Sequence, residues 1–128
     1  MEGDRVRLSF VPPEPDDVED ESLLEFMNTK FLKKLRKFYE KSFIDTSNVS
    51  EMCMLIGVHG RIFEHNASDM SVVELGENFL SIGSGSSIAT GYLEGTKSKP
   101  AKDRVISAVE AAIKYIPTCQ EPIDFLVK

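Results

Sequence analysis

The residues with the most chemical potential are few and local. Gly83-Ser84-Gly85-Ser86-Ser87 lies between the apolar stretch Phe79-Leu80-Ser81-Ile82 and a helix-forming one. In that context bare amides and the positive end of a helix can receive an anion. A dinucleotide fingerprint would need a third glycine at Ile88, and a Walker loop would need a lysine before Ser or Thr; neither is present. The run also departs from Gly-x-Ser-x-Gly, so Ser84 has no support as a nucleophile-elbow serine. Two readings of the five residues stay open: an anion-binding turn, or a tight turn that packs a helix closely on a sheet.

His59 and His65, with Glu64 and Asp69 nearby, invite a metal or general-base reading. Their spacing argues against it. If His59 marks a hairpin turn and His65 the far end of the return strand, they stand roughly 20 Å apart at about 3.3 Å per residue. They are expected to be two unrelated surface histidines. Cys53 and Cys119 are too few and too scattered for a disulfide framework or a zinc site. Both are expected to be reduced thiols, with Cys53 a small core residue. No metal and no cofactor is expected.

The elements that must position these residues follow from periodicity. Residues Val6 to Phe10 alternate as a strand does, and Pro12-Pro13 ends it. An acidic loop at 12–21 carries Glu14, Asp16, Asp17, Glu19, Asp20 and Glu21. Ser22-Leu23-Leu24-Glu25 fits a capping box, predicting a helix from there to about Lys41 with Leu24, Met27, Phe31, Leu35 and Phe38 on its apolar face. Lys30, Lys33, Lys34, Arg36, Lys37 and Lys41 then read as the solvated face. The apolar run Met52 to Val58 predicts a strand covered on both sides. His59-Gly60 turns it into Arg61 to His65, and Val72 to Leu75 and Phe79 to Ile82 add two more strands. Ser86 to Leu93 predicts a short helix ending at Gly95. Pro100 opens a longer helix that Pro117 stops, and Ile123 to Val127 predicts a last strand. The fold class is α+β in a single domain, 1–128.

A chain of 128 residues is long enough to bury a core without staples. With 21 acidic against 15 basic residues the net charge is −6, which disfavours phosphate backbones, so no nucleic acid partner is expected. No stretch approaches the roughly 20 apolar residues that span a bilayer, and the acidic start lacks the features of a signal peptide. A cytoplasmic protein with no membrane partner is the expectation.

From about Met52 the order of features resembles the proteasome β-type and HslV-like N-terminal-nucleophile (Ntn) hydrolases. An apolar strand and a turn lead into Gly60-Arg61-Ile62-Phe63. Phe79-Leu80-Ser81-Ile82-Gly83-Ser84-Gly85 then feeds a helix with Ala89-Thr90-Gly91-Tyr92-Leu93, and an Ala-rich helix, Ile106 to Tyr115, follows. With the helix Leu23 to Phe38, the likeness covers roughly residues 22–127. It implies an αββα sandwich, here incomplete on its N-terminal side, from a family that assembles into rings and hydrolyses peptides with an N-terminal threonine. In that family the serine of the Gly-Ser-Gly turn supports the threonine's amine, so the likeness carries over to Ser84 alone. Residues 1–21 contain no threonine.

The resemblance therefore implies a non-catalytic or incomplete structural or assembly subunit, with a fragment of an active threonine-type peptidase as the alternative. A small anion-binding module using Gly83 to Ser87 is the reading if the likeness is coincidental. A likeness of the stretch from Phe10-Val11-Pro12-Pro13-Glu14 to Phe31-Leu32-Lys33-Lys34-Leu35-Arg36 to proteasome-like phage proteins adds a phage-borne origin. Missing early strands would leave ladder edges bare, so a homo-oligomer, dimer or higher, is expected through Met52 to Val58 and Ile123 to Val127, or assembly with a longer chain or ring partner.

Overall fold

A computed structural model describes residues 10–15, 20–42, 52–76 and 78–127. The chain is α+β, with one three-stranded antiparallel sheet in the order β1-β2-β3. It divides into two compact units, Met1–Asn78 and Phe79–Lys128.

The first unit opens with an unbroken helical rod made of α1 (Asp20–Phe26), a π-helical turn (Met27–Phe31) and α2 (Leu32–Lys41). The rod starts two residues before Ser22, so Asp20 and Glu21 belong to the first turn and not to the acidic loop. Of the rest of that loop, Asp16 to Glu19 lie outside the described residues, as do Val6 to Ser9 of the expected first strand. In the π-turn the side chains of Asn28 and Thr29 donate to the carbonyls of Leu24 (3.0 Å) and Glu25 (2.7 Å), serving acceptors in the wider turn.

The rod buries Leu23, Phe26, Met27, Phe31, Leu35 and Tyr39 against Met52, Phe63, Ala67 and Val72 of the sheet side. Leu24 is not among them; it is 39% exposed. Phe10 adds its ring edge-on to Phe31 and Phe38, at 5.8 and 5.4 Å. Fully buried Leu23, Leu35 and Phe63 each stabilise the fold by about 1.5–3 kcal/mol.

Strands β1 (Cys53–Val58) and β2 (Arg61–Asn66) pair from Val58↔Arg61 outward. The two-residue turn His59-Gly60 has φ of 49° and 72°, the left-handed pair whose twist suits a hairpin. Strand β3 (Ser71–Leu75) pairs on the other side of β2. Its turn is braced by Asn66 Oδ1, which accepts from the Ser68 amide at 3.0 Å, and by Asp69 Oδ1, which accepts from the Ser71 amide at 3.0 Å. Arg61 grips Glu74 with two bonds of 2.6 Å. The side chains of β1 are not covered on both faces as expected. Met54, Ile56 and Val58 pack toward the helical rod, while Leu55 and Gly57 are exposed because that layer covers one face only.

In the second unit α3 (Ser86–Gly95) packs Ala89 and Leu93 against Ala108 of α4 (Ala101–Tyr115). Pro100 is the residue just before α4, and its ψ of 138° sets the entry. Arg104 Nη2 donates to the Leu93 carbonyl at 2.6 Å, closing the end of α3. The expected strands Phe79 to Ile82 and Ile123 to Val127 are irregular. A strand needs a ladder partner, and the described residues of this unit contain no strand to offer one. Ser81 instead turns its hydroxyl to the Ser86 carbonyl (2.8 Å) and the Thr90 hydroxyl (2.6 Å).

Candidate functional site

The Gly83–Ser87 turn owes its shape to its two glycines. Gly83 has φ of +98°, a conformation that side-chain-bearing residues rarely adopt. Its carbonyl accepts from the Ser86 amide at 3.1 Å, and the Gly85 carbonyl accepts from Ala89, starting α3. Gly85 is buried because helix α4 and the segment after it press on it. A Cβ there would stand 2.7 Å from Cys119 Sγ and 2.8 Å from Ala112 Cβ. Of the two readings open in the sequence, close packing of the turn is therefore what its geometry displays; the packing partner is a helix, not a sheet.

Ser84, between the glycines, is exposed. Its hydroxyl accepts from Thr118 Oγ1 at 2.8 Å and lies 3.6 Å from Cys119 Sγ. This brings together a serine and two residues more than thirty positions later. Pro117, which halts α4, directs Thr118 and Cys119 back, and the Cys119 amide donates to the Ile116 carbonyl at 3.0 Å. A nucleophile needs a base beside it. Among the described residues no hydrogen bond joins Ser84 to a His, Lys, Asp or Glu. A chain of two neutral hydroxyls and a thiol orients Ser84 but does not take its proton. Ser86 and Ser87 are held in the first turn of α3, which has no side-chain cap.

The histidines separate as expected but differ in environment. His59 is exposed in the hairpin turn. His65, by contrast, is not a surface residue: it is completely buried. Register explains this, since His65 pairs with Met54 and Val72, two residues away from the buried Phe63 and on the same face. Its Nδ1 is 2.9 Å from the Ser71 carbonyl, and its Nε2 is 2.9 Å from the Tyr39 hydroxyl. A carbonyl can only accept, so Nδ1 carries the proton and Nε2 accepts from Tyr39. Burial pushes the imidazole's pKa below its ordinary value, with Ser71 and then Asp69 opposing; the Tyr39 phenol is pushed up to about 12 by burial.

Cys53 is half-buried on the opposite face of the sheet, not in the core. Its Sγ is 3.9 Å from Glu64 Oε1, and burial first, then the Glu64 charge, push the thiol upward. A thiol held protonated in this way is a poor nucleophile. Among the described residues no three His, Cys, Asp or Glu come together as a metal cluster. No helix there is long and apolar enough to cross a membrane.

No family model, no curated protein and no solved structure matches this chain.

Proposed function

We propose that the chain is part of an Ntn-hydrolase-like αββα sandwich and serves as a non-catalytic structural or assembly subunit. One observation carries this reading: within the first unit the helical rod covers one face of the sheet, while the other face carries exposed apolar side chains among its described residues. On that outer face the register sets Gly57, Ile62 and Leu75 in one row and Leu55, Glu64 and Val73 in the next. Leu55 and Val73 are 36% and 48% exposed. A sheet whose second face is apolar is half of a two-sheet core, because such faces pack on one another about 10 Å apart. The Gly83-Ser84-Gly85 turn supports the same reading. Its serine is fixed by neighbours that position it without activating it, as befits a site that keeps a support residue and performs no catalysis.

The partner sheet comes from another copy or from a longer chain of the same fold. Light scattering across a tenfold concentration range, with and without Leu55→Asp plus Val73→Asp, tests this. Association that rises with concentration and disappears in the double variant is expected. A persistent species of 14.3 kDa, or association indifferent to both substitutions, would overturn it. The non-catalytic part stands if fluorogenic peptides are not hydrolysed; turnover that follows the protein through two purification steps would refute it.

A further inference from the structure

The outer face of the sheet carries one charge, and it stands at the centre. Side chains alternate between the faces of a strand, so the face opposite the buried Phe63 and His65 presents Ile62, Glu64 and Asn66 of β2. A third row, Cys53, Asn66 and Ser71, completes the face beside the rows of Ile62 and Glu64. Glu64 is the middle residue of the middle row, on the middle strand. It is half-buried between Leu55 and Val73. Among the described residues no cation pairs with it. The Cys53 thiol, 3.9 Å from Oε1, is its hydrogen-bond partner. Arg61 lies on the rod side, where it stacks over Phe63 at 5.6 Å and grips Glu74.

A carboxylate in that place constrains what can cover the face. A sheet packed about 10 Å away strips water from Glu64 along with the leucines and valine around it. An ionised group buried without an opposite charge is far costlier than an apolar neighbour is favourable. The centre of an interface is also where dehydration is most complete. Another copy of the same face is a poor match. A two-fold axis through the centre sets Glu64 beside the Glu64 of the second copy, and none of the positions on that face is a Lys or Arg. Charge complementarity therefore asks for a cation that this face does not itself contain.

We infer that Glu64 selects the partner of this face: the covering sheet belongs to a longer, non-identical chain that sets a Lys or Arg opposite Glu64. Leu55, Ile62, Val73 and Leu75 surround that ion pair with apolar contacts and keep water from it. The inference rests on the two-sheet reading above and narrows it, since it names the charge that the second sheet must carry. Two identical copies still remove the apolar rows from water, so self-association persists as the weaker pairing. Like charges at its centre make it weak, and a partner of opposite charge displaces it.

A Glu64→Lys variant of this chain serves as the probe, because it presents the same apolar rows with a cation at their centre. Sedimentation equilibrium at pH 7 compares the natural chain, the variant and their equimolar mixture, with circular dichroism to check folding. The mixed pair should be at least tenfold tighter than either self-pair, and should be lost when the natural chain also carries Leu55→Asp and Val73→Asp. Glu64→Gln removes the charge and keeps the shape, so its self-pair should be at least tenfold tighter than that of the natural chain. This second variant decides alone if Glu64→Lys does not fold. A mixture no tighter than its components, or a Glu64→Gln self-pair no tighter than the natural one, would overturn the inference. The two readings fail differently. Association that vanishes with Leu55→Asp plus Val73→Asp but ignores position 64 removes the role of Glu64 and leaves the second sheet in place. No association in the natural chain, in Glu64→Gln or in the mixture removes both.

Discussion

Replacing Tyr39 with Phe removes one oxygen from the interior and leaves everything else in place. Tyr39 is 2% exposed and His65 is fully buried, so neither regains water when the bond of 2.9 Å between them is lost. The imidazole Nδ1 already donates to Ser71, and this fixes Nε2 as an acceptor left empty by the change. An unsatisfied buried acceptor costs about 1–3 kcal/mol. No cavity is created beyond the hydroxyl itself, so the transfer and cavity penalties of larger truncations stay small. Thermal unfolding should shift down by roughly 4–12 °C, at about 4 °C per kcal/mol for a chain of this size. Removing both partners, with Tyr39→Phe and His65→Leu, should cost less than the sum of the single changes.

The same pair gives a signed pH dependence. The folded imidazole's pKa lies below its ordinary value, so as pH falls the unfolded chain takes up the proton first. His65's contribution is fully present above about pH 6.5, the unfolded value, and declines as pH drops toward the folded pKa. Tyr39 does the reverse on the alkaline side. Its phenol is raised to about 12, so its contribution is intact below about pH 10 and is lost as pH rises through 12. Because Tyr39 bonds the neutral imidazole, Tyr39→Phe should also flatten the acid arm and remove the alkaline share. Urea midpoints measured from pH 5 to pH 11 check both arms. A Tyr39→Phe variant within about 0.5 kcal/mol of the natural chain, with an unchanged acid slope, would refute the reasoning.

What the sequence made legible was pattern carried by neighbours; what it hid was phase and pairing. The hairpin was readable because His59-Gly60 is a turn pair and its flanks are apolar. The helix was readable to its last residue and its core face in large part, since Met27, Phe31 and Leu35 are buried and Phe38 packs against them, but Leu24 is exposed. The π-turn at Met27–Phe31 has no sequence signature, and it moves Leu24 outward while Leu23 and Phe26 turn inward. His65 was legible in principle, since a strand that buries Phe63 buries every second residue with it. It was missed because a histidine beside Glu64 and Asp69 looks like a surface group. Phe79 to Ile82 and Ile123 to Val127 are apolar enough for strands, yet a strand is made by its partner, and sequence shows only one side of that pair. The association of Ser84 with Thr118 and Cys119 had no local signal beyond Pro117, because it depends on how two helices fold together.

Two further outcomes follow from the thiol and the glycine turn. Cys53 should react with iodoacetamide more slowly than an ordinary thiol at pH 8, because burial and Glu64 keep it protonated; Glu64→Gln should speed it, and an unchanged rate would remove Glu64 from the cause. At the turn, Ser84→Ala and Gly85→Val make opposed predictions. Ser84 is exposed, and its partner Thr118 is exposed too, so water replaces the lost bond and stability should stay within about 0.5 kcal/mol. Gly85 is the contrary case. Even the Cβ of alanine would sit 2.7 Å from Cys119 Sγ and 2.8 Å from Ala112 Cβ, and valine adds two methyl groups to that clash. The sulfur can swing away, but Ala112 is buried on α4 and cannot yield without moving the helix. Overpacking of this kind typically costs about 1–3 kcal/mol. Gly85→Val should therefore lie well below Ser84→Ala in a denaturant titration, and Gly85→Val with Cys119→Ala should recover part of the loss. If Ser84→Ala proved the more damaging of the two, the serine would be doing something that its exposed hydroxyl contacts do not explain, and the reading of this turn as a packing device would fail.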